Sequence, residues 1–269
     1  MKPNAGLLSV VLALLPACAA AETYRFAVEP SYPPERAEEV YQPLLEYLAM
    51  ATGHQFELVT SRNYHFYWRD LRRAEPVDFV FEEAHFTDYR ANRAQFVPLA
   101  RMVEPSVYVL LATPDHADRG LDGLVGYRVI SMPSPSLGFA LVSQMYRNPL
   151  SQPELKSEAT SWREGVEIVF AGEGEGAVVP RRIAEQYPNL VEVQASQELP
   201  GAAVSAAPGV PEDVRTAVRE ALLKLHEDSA MYEVLVEIGA SQFEPAERAD
   251  YVGSENVLRG FFGYQPLAD

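Results

Sequence analysis

Between residues 77 and 90 the chain changes character in a single step. Val77-Asp78-Phe79-Val80-Phe81 is a short apolar run of the kind that forms a strand covered on both faces. Glu82-Glu83-Ala84-His85-Phe86-Thr87-Asp88 follows at once, and Tyr89-Arg90-Ala91-Asn92-Arg93-Ala94 contains no helix breaker. A buried strand running into polar side chains and then a helix is the unit of an open α/β sheet. Such sheets bind ligands beyond the carboxyl ends of their strands. Taken alone, the same pattern also describes an ordinary strand-to-helix loop with solvated carboxylates.

The unit recurs. Thr23 to Val28 alternates as a first strand, and Pro30, Pro33 and Pro34 enforce a loop after it. A helix from about Glu35 to Ala51 carries Val40, Leu44, Leu45, Leu48 and Ala51 on one face and stops at Thr52-Gly53. Gln55 to Val59 is a second strand, Trp68 to Ala74 a helix, and Phe96 to Ala100 a fourth strand after the one at 77–81. This succession predicts a mostly parallel sheet covered by helices.

Ser106 to Ala112 is a longer strand that carries the chain out of this first lobe. Tyr127 to Met132 then leads into Pro133-Ser134-Pro135-Ser136-Leu137-Gly138 and a helix from Phe139 to Arg147. A hydroxyl-rich loop at a helix N-terminus can hold an anion on free N–H groups, or Ser136 can simply cap the helix. Both readings stand. Trp162 to Ala171 is a helix. Gly172-Glu173-Gly174-Glu175-Gly176 has neither the dinucleotide spacing nor a P-loop lysine, so it is a turn into the strand Ala177 to Val179. Leu190 to Val193 is another strand, Ala202 to Ala206 returns the chain to the first lobe, and helices are expected over 211–226, 231–238 and 252–262.

The chain has 269 residues, 48% hydrophobic and 22% charged, which is enough for two modest lobes. Its net charge of -16 argues against nucleic acid or an anionic membrane as partner. Lys2, the apolar run Leu7 to Leu15 and Ala19-Ala20-Ala21 have the form of an export leader cut before Glu22, the run being too short to span a bilayer. The single cysteine, Cys18, lies in that leader. Leu15-Pro16-Ala17-Cys18 approaches a lipoprotein signal, but its proline is atypical, so soluble export is expected over a lipid anchor. The mature chain would then have no disulfide and no thiol chemistry.

With these residues placed, the chain resembles the phosphonate-type (phosphate, phosphite and phosphonate) periplasmic solute-binding proteins of ABC importers. The likeness runs through Tyr24-Arg25-Phe26-Ala27-Val28-Glu29-Pro30, Tyr41-Gln42-Pro43-Leu44-Leu45-Glu46-Tyr47-Leu48, Asn63-Tyr64, Val77-Asp78, Ser196-Gln197-Glu198-Leu199-Pro200-Gly201, Ala217 to Leu225 and Phe243-Glu244-Pro245-Ala246. The resemblance implies the type II periplasmic-binding-protein fold: two α/β lobes, joined by two crossovers, that close on a ligand. It implies lobe 1 over 22–107 and 203–269, lobe 2 over 108–202 and a leader over 1–21. By position it carries over Tyr64, then Glu83, His85 and Phe86, then Ser134, Ser136 and Gly138, with Tyr32 added as a further wall of the pocket.

Two departures stand out. The family's serine loop reads like Ser-Thr-Ser-Gly, whereas Pro135 here removes an N–H, and Glu83-Ala84 stands where the family has residues like Gly-Pro. A carboxylate there repels a phosphoryl group unless it is protonated or faces a ligand cation.

The expected function is therefore capture of a small polar or anionic ligand, phosphonate-like by resemblance, in the periplasm for a membrane ABC permease. No cofactor is expected, and hinge closure is compatible with a monomer. A ligand-sensing role beside a membrane receptor kinase is the first alternative. A metal receptor using Glu83 and His85, with His65 as a third ligand, is the second. An enzyme is not expected: Glu82 and Glu83 point to opposite strand faces, and no nucleophile elbow or His-Glu-x-x-His is present.

Overall fold

The structure is a computed structural model that describes residues 21–146 and 148–266. Residues 1–20, which include Cys18 and all but the last residue of the expected leader, lie outside the described residues, as do Arg147 at the end of an expected helix and the last three residues of the chain. The first half runs β1 (Thr23–Val28), α1 (Pro34–Thr52), β2 (Gln55–Val59), α2 (Tyr64–Arg72), β3 (Phe79–Glu82), α3 (Ala84–Arg93) and β4 (Val97–Met102). The second half runs β5 (Tyr108–Ala112), α4 (Pro114–Ala117), β6 (Arg128–Ile130), α5 (Leu137–Met145), β7 (Glu154–Lys156), α6 (Trp162–Phe170), β8 (Gly176–Pro180), α7 (Arg181–Ala184) and β9 (Val191–Ala195). The chain then returns through β10 (Ala203–Ala206), α8 (Glu212–Leu223), α9 (Tyr232–Ile238), β11 (Phe243–Pro245) and α10 (Arg248–Tyr251).

Two sheets result, ordered β11-β4-β10-β3-β1-β2 and β7-β6-β8-β5-β9. Each sheet with its covering helices is one lobe. The first sheet is not mostly parallel. β1 pairs in parallel with β2 and β3, but the returning β10 inserts antiparallel between β3 and β4, and β11 is antiparallel to β4. Sequence order hides this, because β10 belongs to a sheet whose other strands lie mostly before residue 103.

Local chemistry explains most boundaries. α1 buries Ala37, Val40, Tyr41, Leu44, Leu45 and Leu48 against the first sheet, each leucine contributing about 1.5–3 kcal/mol. It ends at Gly53 in the left-handed region, φ 77°, with the Gly53 N–H bonded to Ala49 O. α2 begins four residues before the expected Trp68, because the Asn63 side chain accepts from the N–H groups of His65 and Phe66 and so caps it. The helix expected over 252–262 is a 3-10 segment at Ser254–Leu258, flanked by Gly253 and Gly260, both at positive φ.

The lobes are joined in two places. The crossovers between β4 and β5 and between β9 and β10 lie side by side, Ser106 N donating to Leu199 O at 2.9 Å and Leu199 N to Ser106 O at 3.1 Å. Elsewhere an apolar joint runs from Tyr64, Trp68 and Phe86 of lobe 1 into Tyr108 and Leu137 of lobe 2 as one continuous core. Among the described residues no helix is long and apolar enough to cross a membrane.

Candidate functional site

Between the two joints the lobes enclose a cleft of about 350 Å3, a volume typical of small-molecule sites. β1 and β3 are neighbours in the sheet, so their carboxyl ends bring Glu29 and Glu83 together on its floor. The Glu83 N–H donates to Glu29 Oε1 at 2.5 Å, and Tyr64 OH donates to Glu29 Oε2 at 2.9 Å. Glu83 in turn accepts from the Ser106 hydroxyl and, at 3.3 Å, from Tyr108 OH. The crossover thus holds one carboxylate and a lobe 1 helix the other.

Both acids are displaced from ordinary behaviour. Burial first, and then the neighbouring Glu83 charge, lift the Glu29 carboxyl well above the usual range. Burial also raises Glu83, with Ser106, Tyr108 and the Arg182 charge pulling the other way. Glu82, one residue earlier, also lines the cleft, but its Oε1 pairs with Arg90 Nε at 2.7 Å and takes the Tyr67 hydroxyl.

The walls are aromatic and the far side is basic. Tyr32 and Tyr41 pack edge to face at 6.3 Å, and Tyr108 packs against Trp162 at 5.1 Å. All four rings line the cleft. Trp162 opens α6, whose N-terminus is capped by Ser161. Arg181 and Arg182 open α7, and Arg182 reaches across to lobe 1 at Gly239. Gly239 ends α9 at φ 81°, and a Cβ there would stand 2.2 Å from Arg182 Cδ.

Of the residues expected from sequence, Tyr32 and Glu83 line this cleft. Tyr64 is fully buried beneath its floor, on Glu29. His85 and Phe86 are also fully buried, stacked at 3.9 Å, and His85 Nε2 donates across the lobes to Pro135 O at 3.1 Å. Burial drives the His85 pKa down to about 3, so the ring is neutral. Ser134, Ser136 and Gly138 do not line the cleft. Ser136 accepts from the Phe139 N–H and donates to Met132 O at 3.3 Å. Gly138 lies directly beneath the Tyr108 and Trp162 rings. The serine loop here is a capped, covered helix start. His65 is exposed on α2, so Glu83, His85 and His65 do not converge, and among the described residues no three His, Cys, Asp or Glu side chains gather as a metal site.

Glu29, Ser106, Tyr108, Trp162 and Arg182 were not singled out from sequence. Glu29 carried a usable signal, a carboxylate at the carboxyl end of an apolar strand, the same signal that drew attention to Glu83. The others enter through the crossovers and through lobe 2, where no local pattern marks them.

Comparison with known structures gives the same architecture. A binding-protein component of an ABC phosphonate transporter from Pseudomonas aeruginosa matches with a TM-score of 0.73 at 14% identity, over 88% of this chain and 86% of its own. PhnD1 from Prochlorococcus marinus, in complex with methylphosphonate, matches with a TM-score of 0.74 at 13% identity, over 88% and 97%. A Xanthomonas citri protein bound to ATP matches at 0.65 and 14%, over 87% and 98%. At these identities the likeness is one of fold, the two-lobed type II periplasmic-binding-protein fold. No curated protein sequence matches the chain. The model of the ABC transporter phosphonate periplasmic substrate-binding proteins matches residues 26–251, and the chain belongs to that family.

Proposed function

We propose that this chain is an exported solute-binding protein that captures one small polar molecule between its lobes and delivers it to a membrane ABC permease. The observation that carries this reading is the cleft itself: about 350 Å3, walled by both lobes and by the crossover, with aromatic sides and charged ends. Rotation of one lobe against the other would open and close such a site. Family membership supports the permease as partner and export as the route. Ligand chemistry is inherited less directly, because the serine loop that the resemblance assigns to an anion is occupied here by helix capping and by the Tyr108 and Trp162 rings.

The test is native mass spectrometry of the mature protein isolated from its own periplasm. One small molecule per chain is expected, lost in Trp162→Ala, and readdition of the released solute should raise the unfolding free energy by about 2.7 kcal/mol at 100 times its dissociation constant. A chain that arrives empty and is stabilised by no periplasmic solute would overturn the reading.

A further inference from the structure

We propose that the cleft is built for a zwitterion, its cationic head seated on Glu29 and Glu83 and its anionic end reaching Arg182 on the opposite lobe. This deepens the solute-binding reading and rests on it.

The argument is one of unbalanced charge. Six carboxylates line the cleft (Glu29, Glu82, Glu83, Glu104, Glu185 and Glu198) against the two guanidiniums of Arg181 and Arg182. Two of these groups are already matched: Glu82 by Arg90, and Arg181 by Glu192. Among the described residues neither Glu29 nor Glu83 is in an ion pair, and neither is Arg182. The floor therefore holds two adjacent acids outside any ion pair, and the facing wall holds Arg182, whose charge is felt by Glu83 without pairing with it.

Hydrogen bonding agrees. Glu29 and Glu83 are served by one backbone N–H and the hydroxyls of Tyr64, Ser106 and Tyr108, neutral donors that fix the carboxylates without cancelling their charge. Glu82, 1% exposed and lining the same cavity, keeps Oε2 buried with no partner, and Glu104 Oε2 is likewise buried and unpartnered. An ammonium or guanidinium brings the donors that such a floor lacks, and the faces of Tyr32, Tyr41, Tyr108 and Trp162 favour a cation in a dry site. Burial raises both floor acids in the empty cleft, and for Glu29 the neighbouring Glu83 charge adds to it; a ligand cation beside them would favour their ionised forms. A plain phosphonate or phosphate brings no cation and would meet like charge wherever these carboxyls are ionised.

The experiment is calorimetry at pH 7.5 on the mature protein stripped of bound solute, with probes matched in skeleton. These are 2-aminoethylphosphonate against ethylphosphonate, 4-aminobutyrate against butyrate, and arginine for the guanidinium. The amine-bearing member of at least one pair is expected to bind 100-fold or more tightly than its deaminated partner, with Glu83→Gln removing that preference. Arg182→Met should weaken the same zwitterion at least tenfold while leaving butylamine unchanged. If Glu83→Gln does not fold, Arg182→Met alone still tests the polarity from the other lobe. Equal binding of deaminated probes, an unaffected Glu83→Gln, or no binding of any cationic probe at 10 mM overturns the proposal. If none binds yet the native protein carries a solute, the zwitterion fails while the solute-binding reading survives.

Discussion

His85 shows how a single buried group can report on the whole joint. Its ring is fully buried, Nε2 is spent on Pro135 O across the lobes, and Nδ1 has no partner. Protonating it would put an uncompensated charge in the apolar joint. The folded pKa of about 3 lies below the ordinary histidine value near 6.5, so the unfolded chain takes up a proton first as pH falls. The stability associated with His85 is therefore fully present above about pH 6.5 and is lost progressively below it, amounting to roughly 2 kcal/mol by pH 5. Glu29 and Glu83 act with the opposite sign: their raised folded values stabilise at low pH, and that contribution fades as pH climbs from the ordinary carboxylate range. The two effects oppose one another between about pH 4.5 and 6.5, so His85 must be isolated by difference. His85→Gln keeps a donor for Pro135 and cannot titrate. Chemical denaturation at pH 7.5 and pH 5 is expected to show wild type losing about 2 kcal/mol more than the variant over that interval; equal losses would place the acid sensitivity elsewhere.

At the scale of elements, the start of α5 separates what is structural from what faces the ligand. Ser136 caps the helix and is buried away from the cleft. Gly138, two residues on, lies where a Cβ would be 2.9 Å from Tyr108 Cδ1 and 3.0 Å from Trp162. Both rings line the cleft and each has a flexible way out, toward the cavity. Ser136→Ala should therefore cost about 1 kcal/mol of stability with ligand affinity unchanged. Gly138→Ala should cost about 1–2 kcal/mol and also weaken the ligand roughly tenfold, because the displaced rings occupy its space. Paired unfolding and binding measurements on the two variants distinguish these outcomes.

The same element marks the limit of sequence reading. β1 and β2 were legible because alternation and turn residues are local signals, and the helix after the serine loop was legible from its apolar run. Which of two physical uses the serines serve was not legible, because it depends on Trp162 arriving from another helix to lie over Gly138 at the same helix start. Glu83 could be found beside its strand; its partners could not, since Glu29 reaches it only through the β1–β3 pairing and Ser106 only through the crossover. The last helix failed for a different reason, the positive-φ glycines that cut its pattern short.

For the molecule as a whole, the crossover pair is both hinge and part of the site, and this makes one glycine decisive. A Cβ on Gly201 would fall 2.3 Å from Met102 O and 2.5 Å from Glu104 O. Both are backbone atoms, one at the end of β4 and one in the opposite crossover, so nothing flexible can yield. The Gly201 carbonyl also accepts from the buried Tyr251 OH at 2.8 Å, which prevents this strand from simply sliding away. Gly201→Ala must therefore push residues 102–106 outward, straining the Ser106–Leu199 bridge at the centre of the hinge. Overpacking of this kind costs about 1–3 kcal/mol. Ser106 is also the donor that holds Glu83 on the cleft floor, so the displacement reaches the ligand site without touching any residue that lines it on lobe 2. A purely structural glycine would lower stability and leave the affinity of the folded fraction intact. Coupling through Ser106 instead requires affinity for the bound solute to fall at least tenfold in Gly201→Ala under conditions where circular dichroism shows the chain fully folded. Restoring that affinity should not be possible by adding a stabilising substitution elsewhere in lobe 1, because the loss lies in the position of Glu83 and not in the folded population.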